Sequence, residues 1–213
     1  RTDFADNINI YNNSISLHHK GAAGSYGTLT GIRHFNGPNI KVNFNTILLK
    51  HDNPEANENV GVRFQNNLNT TSFSNNNIVL ECKGQSVQLL GAVGNLNSNY
   101  NNYSKLEGDT IMNNNNVSYY TSLDDIKVIG LDSNSVSINP YFLVDSLLKP
   151  YRLALDNKGD NISGITNDIV GLTRGSTPDI GAYQFDPIVY EVVLDSIDID
   201  TLCSGLRMVR ALI

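Results

Sequence analysis

The chain repeats itself with a period of about thirty residues, and a period of that length restricts the fold more than composition does. The segments NIYNNSISLHHK (9 to 20), KVNFNTILLKHD (41 to 52) and SFSNNNIVLECK (72 to 83) superimpose without a gap. Ile15, Ile47 and Ile78 then match at spacings of 32 and 31 residues. A second matching set lies between them, GIRHF (31 to 35) over GVRFQ (61 to 65), with SVQLL (86 to 90) as a weaker third copy.

Within each unit the apolar residues alternate. Ile8 and Ile10 precede Ile15 and Leu17 in the first unit, and Ile40 and Val42 precede Ile47 and Leu49 in the second. Alternation predicts short strands with one face buried, and no part of this region keeps a helical period. Two or three short strands per unit, joined by polar turns and a variable loop, describe one coil of a parallel β-helix, in which each coil buries its inward side chains on the next.

The same superposition places Asn13, Asn45 and Asn76 in one column. Asparagine at a coil corner can hydrogen-bond to its copies above and below, satisfying an amide that would otherwise be buried unpaired. The chain holds 31 Asn in 213 residues, many in runs such as SNNNI (74 to 78) and MNNNNV (112 to 117). Asn disfavours helix interiors but tolerates turns and left-handed backbone angles, so the composition predicts many turns.

A charged fraction of 17% and a net charge of -6 argue against a nucleic-acid or anionic-membrane partner. No apolar run approaches the length of a membrane span. The chain opens on RTDFADNINI without an initiating Met, which reads as a processed chain or an internal piece of something longer. Cys82 and Cys203 lie far apart and give no disulfide framework.

After residue 95 the rhythm changes. NLNSNYNNYS (95 to 104) reads as a last coil, and a stack of coils needs a cap over its open apolar end. The segments LDSNSVSINPYF, YRLALDNKGDN and DIVGLTRGSTPDIGAYQF, in this order, resemble the closing section of secreted proteins of the pectin-lyase-like right-handed β-helix superfamily, especially large surface proteins of Bacteroidota. The resemblance covers about residues 1 to 187 and implies that Asp168 to Phe185 closes the helix, with Arg174 pairing Asp168 or Asp179 over the last coil. Residues 188 to 213 resemble the opening strands of an immunoglobulin-like module, too short to bury a sandwich core.

The expected fold is therefore all-β: a right-handed parallel β-helix (solenoid) over 1–121, a final coil and C-terminal cap over 122–187, and the truncated start of a β-sandwich over 188–213. Asp-Ser/Thr-apolar triplets at Thr110, Ser146, Ser196 and Thr201 match the pattern at which Bacteroidota attach O-glycans to exported proteins.

The register also gathers polar residues. Arg33 and Arg63 share a column with Gln88 next to it, a pair able to recognise an acidic sugar or to be ordinary surface. His19, His51 and Cys82 share another column, flanked by Lys50 above Glu81 and by Lys20, Asp52 and Lys83. Those residues could hold a metal through His19, His51 and Cys82, or supply a base near a sugar through His19, Lys50, His51 and Glu81. The plainer reading is a solvated turn after the strand ends at Leu17, Leu49 and Leu80. Lyases of the resembled superfamily use a Lys or Arg base with carboxylate-bound calcium, and its hydrolases use paired Asp. No loop of alternating Asp that would bind calcium occurs, no cofactor is indicated, and there is no Trp to stack on a sugar.

The function expected from these features is a rigid structural and adhesive segment of a long exported surface protein, displaying the loops 18–30 and 50–60, with a polysaccharide or surface glycan as partner. The rivals are a carbohydrate-active enzyme, a polysaccharide lyase or glycosidase whose catalytic coils lie upstream, and a spacer that binds nothing.

Overall fold

The computed structural model of the chain describes residues 2–3, 7–21, 27–37, 39–54, 56, 58–66, 70–91, 95–106, 109–142 and 147–187. The sandwich expected over 188–213 lies outside them, as do Ser146, Ser196 and Thr201. The described strands are β1 (Thr2–Asp3), β2 (Asn9–Tyr11), β3 (Ser14–His19), β4 (Thr30–Phe35), β5 (Ile40–Asn43), β6 (Thr46–His51), β7 (Asn59–Gln65), β8 (Thr71–Ser74), β9 (Asn77–Glu81), β10 (Gly84–Leu90), β11 (Leu96–Asn99), β12 (Asn102–Ser104), β13 (Thr110–Asn114) and β14 (Ser118–Tyr120). One short helix, α1 (Leu123–Val128), follows them.

The chain visits three sheets in turn, so each strand pairs with the strand three places on. Sheet A has the order β1-β4-β7-β10-β13-β14, sheet B β11-β8-β5-β2 and sheet C β12-β9-β6-β3. Every pairing is parallel except the closing β13–β14 hairpin. Ile15 pairs with Ile47 and Ile47 with Ile78, the register in which the sequence segments superimpose. The result is an all-β, parallel-sheet architecture compatible with stacked coils.

Alternation does the burying. Ile40, Val42, Ile47, Leu49, Val62, Phe64, Phe73, Ile78, Leu80 and Val87 point inward from the three sheets into one apolar core. Gly31 and Gly61 sit where neighbouring strands approach them closely. A Cβ at Gly31 would meet Ile47 Cγ2 at 2.6 Å, and one at Gly61 would meet Ile78 Cγ2 at 2.5 Å, so a side chain fits at neither.

The corner between sheets B and C is made by one left-handed residue per repeat: Asn12 (φ 54), Phe44 (φ 55), Asn75 (φ 59) and Tyr100 (φ 56). Asn tolerates that angle, whereas Phe44 and Tyr100 carry strain of about 1 kcal/mol or more. The next residue in each repeat is the column asparagine. Asn13 Nδ2 donates to Asn45 Oδ1 at 2.8 Å, Asn45 Nδ2 to Asn76 Oδ1 at 3.0 Å, and Asn76 Nδ2 to Asn101 Oδ1 at 3.1 Å. The backbone N–H of each donates to the same oxygen. The second amide hydrogen reaches main-chain carbonyls, Ile10 O from Asn45 and Val42 O from Asn76. Asn101 extends the column beyond the three residues the superposition aligned.

The column ends on a buried carboxylate. Asp132 accepts from Asn101 Nδ2, Ser98 Oγ, Tyr103 Oη and Ser135 Oγ, the last at 2.6 Å. Burial, and next the Asp132 charge, push the Tyr103 phenol well above its usual value.

The far end of the stack is covered by α1, which the sequence reading did not anticipate. Ser122 and Asp125 form a reciprocal capping box at its start, and Ile126 is buried in the main core beside Leu123 and Leu131. The closing segment does something other than the expectation. Instead of lying over the last coil it runs back along the B–C corner toward the first repeat. Leu148 packs on Leu48 and Val79 on the outside of sheet C, Asp160 bonds Asn75, Ala182 N donates to Thr46 Oγ1, and Asn12 Nδ2 donates to Asn167 O.

Arg174 is corrected likewise. Its guanidinium makes no ion pair with Asp168 or Asp179; it lies over Phe44 and donates to Asn12 Oδ1 and to the carbonyls of Asp179, Gly181 and Ala182. The two carboxylates are occupied with main-chain N–H groups. Asp168 receives those of Val170, Leu172 and Gln184, and Asp179 those of Asn157 and Phe185. Both carboxylates still act on the cation through their charge, which opposes the burial that lowers the Arg174 pKa.

Candidate functional site

Two polar constellations were legible as columns, and the pleat of the strands decides which of them faces outward. On sheet A, Ile32, Val62 and Val87 point inward, so Arg33, Arg63 and Gln88 point outward in adjacent register. Arg33 Nη2 donates to Gln65 Oε1 at 3.2 Å, and its Cζ lies 5.8 Å from the centre of the Phe35 ring. Gln88 is held from the far side by Asn116.

The two arginines thus start from backbone positions about 5 Å apart, one strand spacing, and among the described residues no carboxylate forms an ion pair with either. The Nε atoms of both are buried without a hydrogen-bond partner. Burial first, and the neighbouring Arg33 charge second, lower the pKa of Arg63, and the field of Glu58 opposes them. Two like charges with unsatisfied donors on a fixed sheet favour a bound anion, which relieves both penalties.

The second column divides. Lys50 and His51 are consecutive on β6 and therefore point to opposite faces. Outside, Lys50 Nζ pairs with Glu81 at 2.7 Å, and His18 Nε2 pairs with Asp52 at 2.6 Å. The bond from His18 holds the Asp52 carboxyl below its ordinary value. Inside, the rings of His19 and His51 stack with centroids 4.4 Å apart.

His51 is buried and both of its nitrogens are engaged. Asn53 N–H donates to Nδ1 at 3.0 Å, so the proton sits on Nε2 and is donated to Gly27 O at 2.9 Å. Cys82 is buried as well, with its thiol on Leu49 O, and burial pushes its pKa up to about 12. The solvated-turn reading is corrected at both positions, because the inward parity of Leu49 and Leu80 continues through His51 and Cys82. The three side chains are not arranged as a ligand set: both His51 nitrogens are engaged and the Cys82 thiol is turned to Leu49 O. Among the described residues no group of three His, Cys, Asp or Glu side chains is placed to hold a metal ion.

The residues proposed as a base near a sugar are likewise not brought together. Lys50 and Glu81 neutralise each other outside, while His19 and His51 belong to the interior. The signal that would have separated them was available as strand parity, counted from Leu49. Gln65 and Phe35, which hold Arg33, share its outward parity and could have been found in the same way. Of the glycosylation triplets, Thr110 is placed on β13 and is half-buried.

Among the described residues no helix is long and apolar enough to cross a membrane. No family model, curated protein or solved structure matches the chain, so what it does rests on its own geometry.

Proposed function

We propose that the chain is a stretch of right-handed parallel β-helix from a long exported cell-surface protein, acting as a rigid adhesive segment that holds an acidic glycan on its arginine face. The β-helix reading is supported by strands that pair three places on in three sheets, with a hydrogen-bonded asparagine at the corner between sheets B and C in successive repeats. The hand follows from the strong preference of parallel crossovers for right-handed connections. The surface origin is supported by the resemblance of residues 122–187 to the closing sections of such proteins.

The observation that carries the binding reading is the Arg33–Arg63 pair, outward, in register, without an ion pair to a carboxylate among the described residues and with buried Nε donors unsatisfied. Guanidinium groups bind carboxylate or sulfate bidentately, and a repeat of one strand spacing suits successive charges along an extended polyanion.

The test is calorimetric titration with hexagalacturonate, alongside an assay for unsaturated and reducing ends. Binding that weakens with salt, is abolished in Arg33→Gln/Arg63→Gln and releases no ends is expected. Release of ends would replace the adhesive reading with a polysaccharide lyase or glycosidase. Absence of binding to hexagalacturonate and to a sulfated hexasaccharide would leave a spacer.

A further inference from the structure

Sheet B presents outward a surface that is polar from one edge to the other. Its strands pair so that Asn9, Lys41, Ser72 and Asn97 form one outward column and Tyr11, Asn43, Ser74 and Asn99 form a second. Walls rise on both sides of this floor. On the corner side stands the returning segment at 162–165, a turn closed by Ile165 N–H on Ile162 O with Gly164 at φ +88. On the other side stand Asn7 and Asn39, both left-handed and joined by a hydrogen bond from Asn39 Nδ2 to Asn7 Oδ1.

Two adjoining depressions of about 210 and 280 Å³ lie along this floor, and Lys41 lines both. The first is bounded by Asn9, Tyr11, Asn43 and Ser163, the second by Asn7, Asn39 and Ser72. Tyr11 leaves 47% of its surface exposed, and Lys41 is exposed and forms no ion pair with a carboxylate among the described residues.

We infer that this trough is a binding site for a neutral, extended oligosaccharide of the β-1,4-linked kind. An exposed phenol ring gives the apolar face of a pyranose something to lie on. Amides and hydroxyls carry both donors and acceptors, which is what vicinal sugar hydroxyls need. The strand spacing of about 4.8 Å repeats these groups close to the length of one pyranose unit. A single cation among neutral groups distinguishes the trough from the arginine face of sheet A, which carries two cations and suits an anion. The inference does not depend on the reading of that face.

Cellohexaose, xylohexaose and chitohexaose are titrated against the whole chain by calorimetry, with circular dichroism verifying that each variant is folded. At least one is expected to bind with little dependence on salt. Tyr11→Ala and Lys41→Ala each weaken that binding about tenfold, Tyr11→Phe retains it, and Arg33→Gln/Arg63→Gln leaves it unchanged. The inference is overturned if none of the three binds, if binding survives in Tyr11→Ala/Lys41→Ala, or if only an acidic chain binds here and salt removes it. Loss of cellohexaose binding in Tyr11→Ala with intact hexagalacturonate binding separates this site from the arginine face, and the converse pattern sinks the inference while leaving that face standing.

Discussion

The guanidinium carbon of Arg174 lies 4.0 Å from the centre of the Phe44 ring. That contact joins a residue near the end of the described chain to a corner of its second repeat. The corner is strained, because Phe44 is left-handed, and a buried cation over an aromatic face is a strong enough contact to hold such a residue in place. Arg174 therefore acts as a clasp between the returning segment and the stack.

Removing the clasp should release one segment before the rest. Arg174→Ala loses the ring contact, leaves the Gly181 carbonyl without its side-chain donor and takes from Ala182 O one of its two donors, the other being Ile169 N–H. A destabilisation of about 3 kcal/mol is expected. Hydrogen exchange should accelerate first over 157–185 while the three sheets stay protected. Equal acceleration everywhere would show that the segment and the stack unfold as one unit.

The asparagine column offers a graded test. Asn76 is fully buried and links Asn45 to Asn101, so Asn76→Ala takes the acceptor from Asn45 and a side-chain donor from Asn101. A loss of about 3 kcal/mol is expected in urea unfolding. Asn13→Ala, at the half-buried end of the column, should lose about 1 kcal/mol. Equal losses at the two positions would mean that the column contributes as separate turns rather than as a chain of bonds.

What could be read before the structure divides along the same physical line. The repeat, the three-residue asparagine column and the Arg33–Arg63 register are properties of local spacing, and spacing is written in the sequence. Asn101 was missed because its repeat is shorter, 25 residues from Asn76, so a fixed period of about thirty passes over it. His51 and Cys82 were misjudged because polar residues after Leu49 and Leu80 suggest a turn, whereas the strand parity continues inward and His51 finds Gly27 and Asn53. The path of the closing segment was illegible for a different reason. Its partners Asn12, Phe44 and Asn75 lie far away in sequence, and no periodicity connects it to them.

Asp179 gives the fold a pH dependence of unusual sign. Burial, the largest influence on it, raises its pKa from 3.8 to about 6, against the pull of hydrogen bonds from Asn157 and Phe185 and of Arg174. A native state that binds the proton more tightly than the unfolded chain is stabilised below pH 3.8 and loses that contribution as pH rises through about 6. The loss is of the order of 3 kcal/mol. Asp179→Asn should remove this slope between pH 4 and pH 6 in denaturant titrations, and an unaltered slope would place its origin elsewhere.

Cys82 reports on the integrity of the stack. Its thiol is 4% exposed, bonded to Leu49 O, and held by burial at a pKa of about 12. A thiol reagent attacks the thiolate, which at pH 8 is present in only about one part in ten thousand at that pKa, and it also needs access. In a Cys203→Ser background the native protein should therefore react negligibly with such a reagent at pH 8. Labelling should appear only with opening of the stack, so its rate should rise in Asn76→Ala, which weakens the corner next to β9, and should rise less in Arg174→Ala, which frees only the outer segment. A Cys82 that labels rapidly in the intact protein would mean that the end of β9 opens on its own, independently of the column that is expected to hold it.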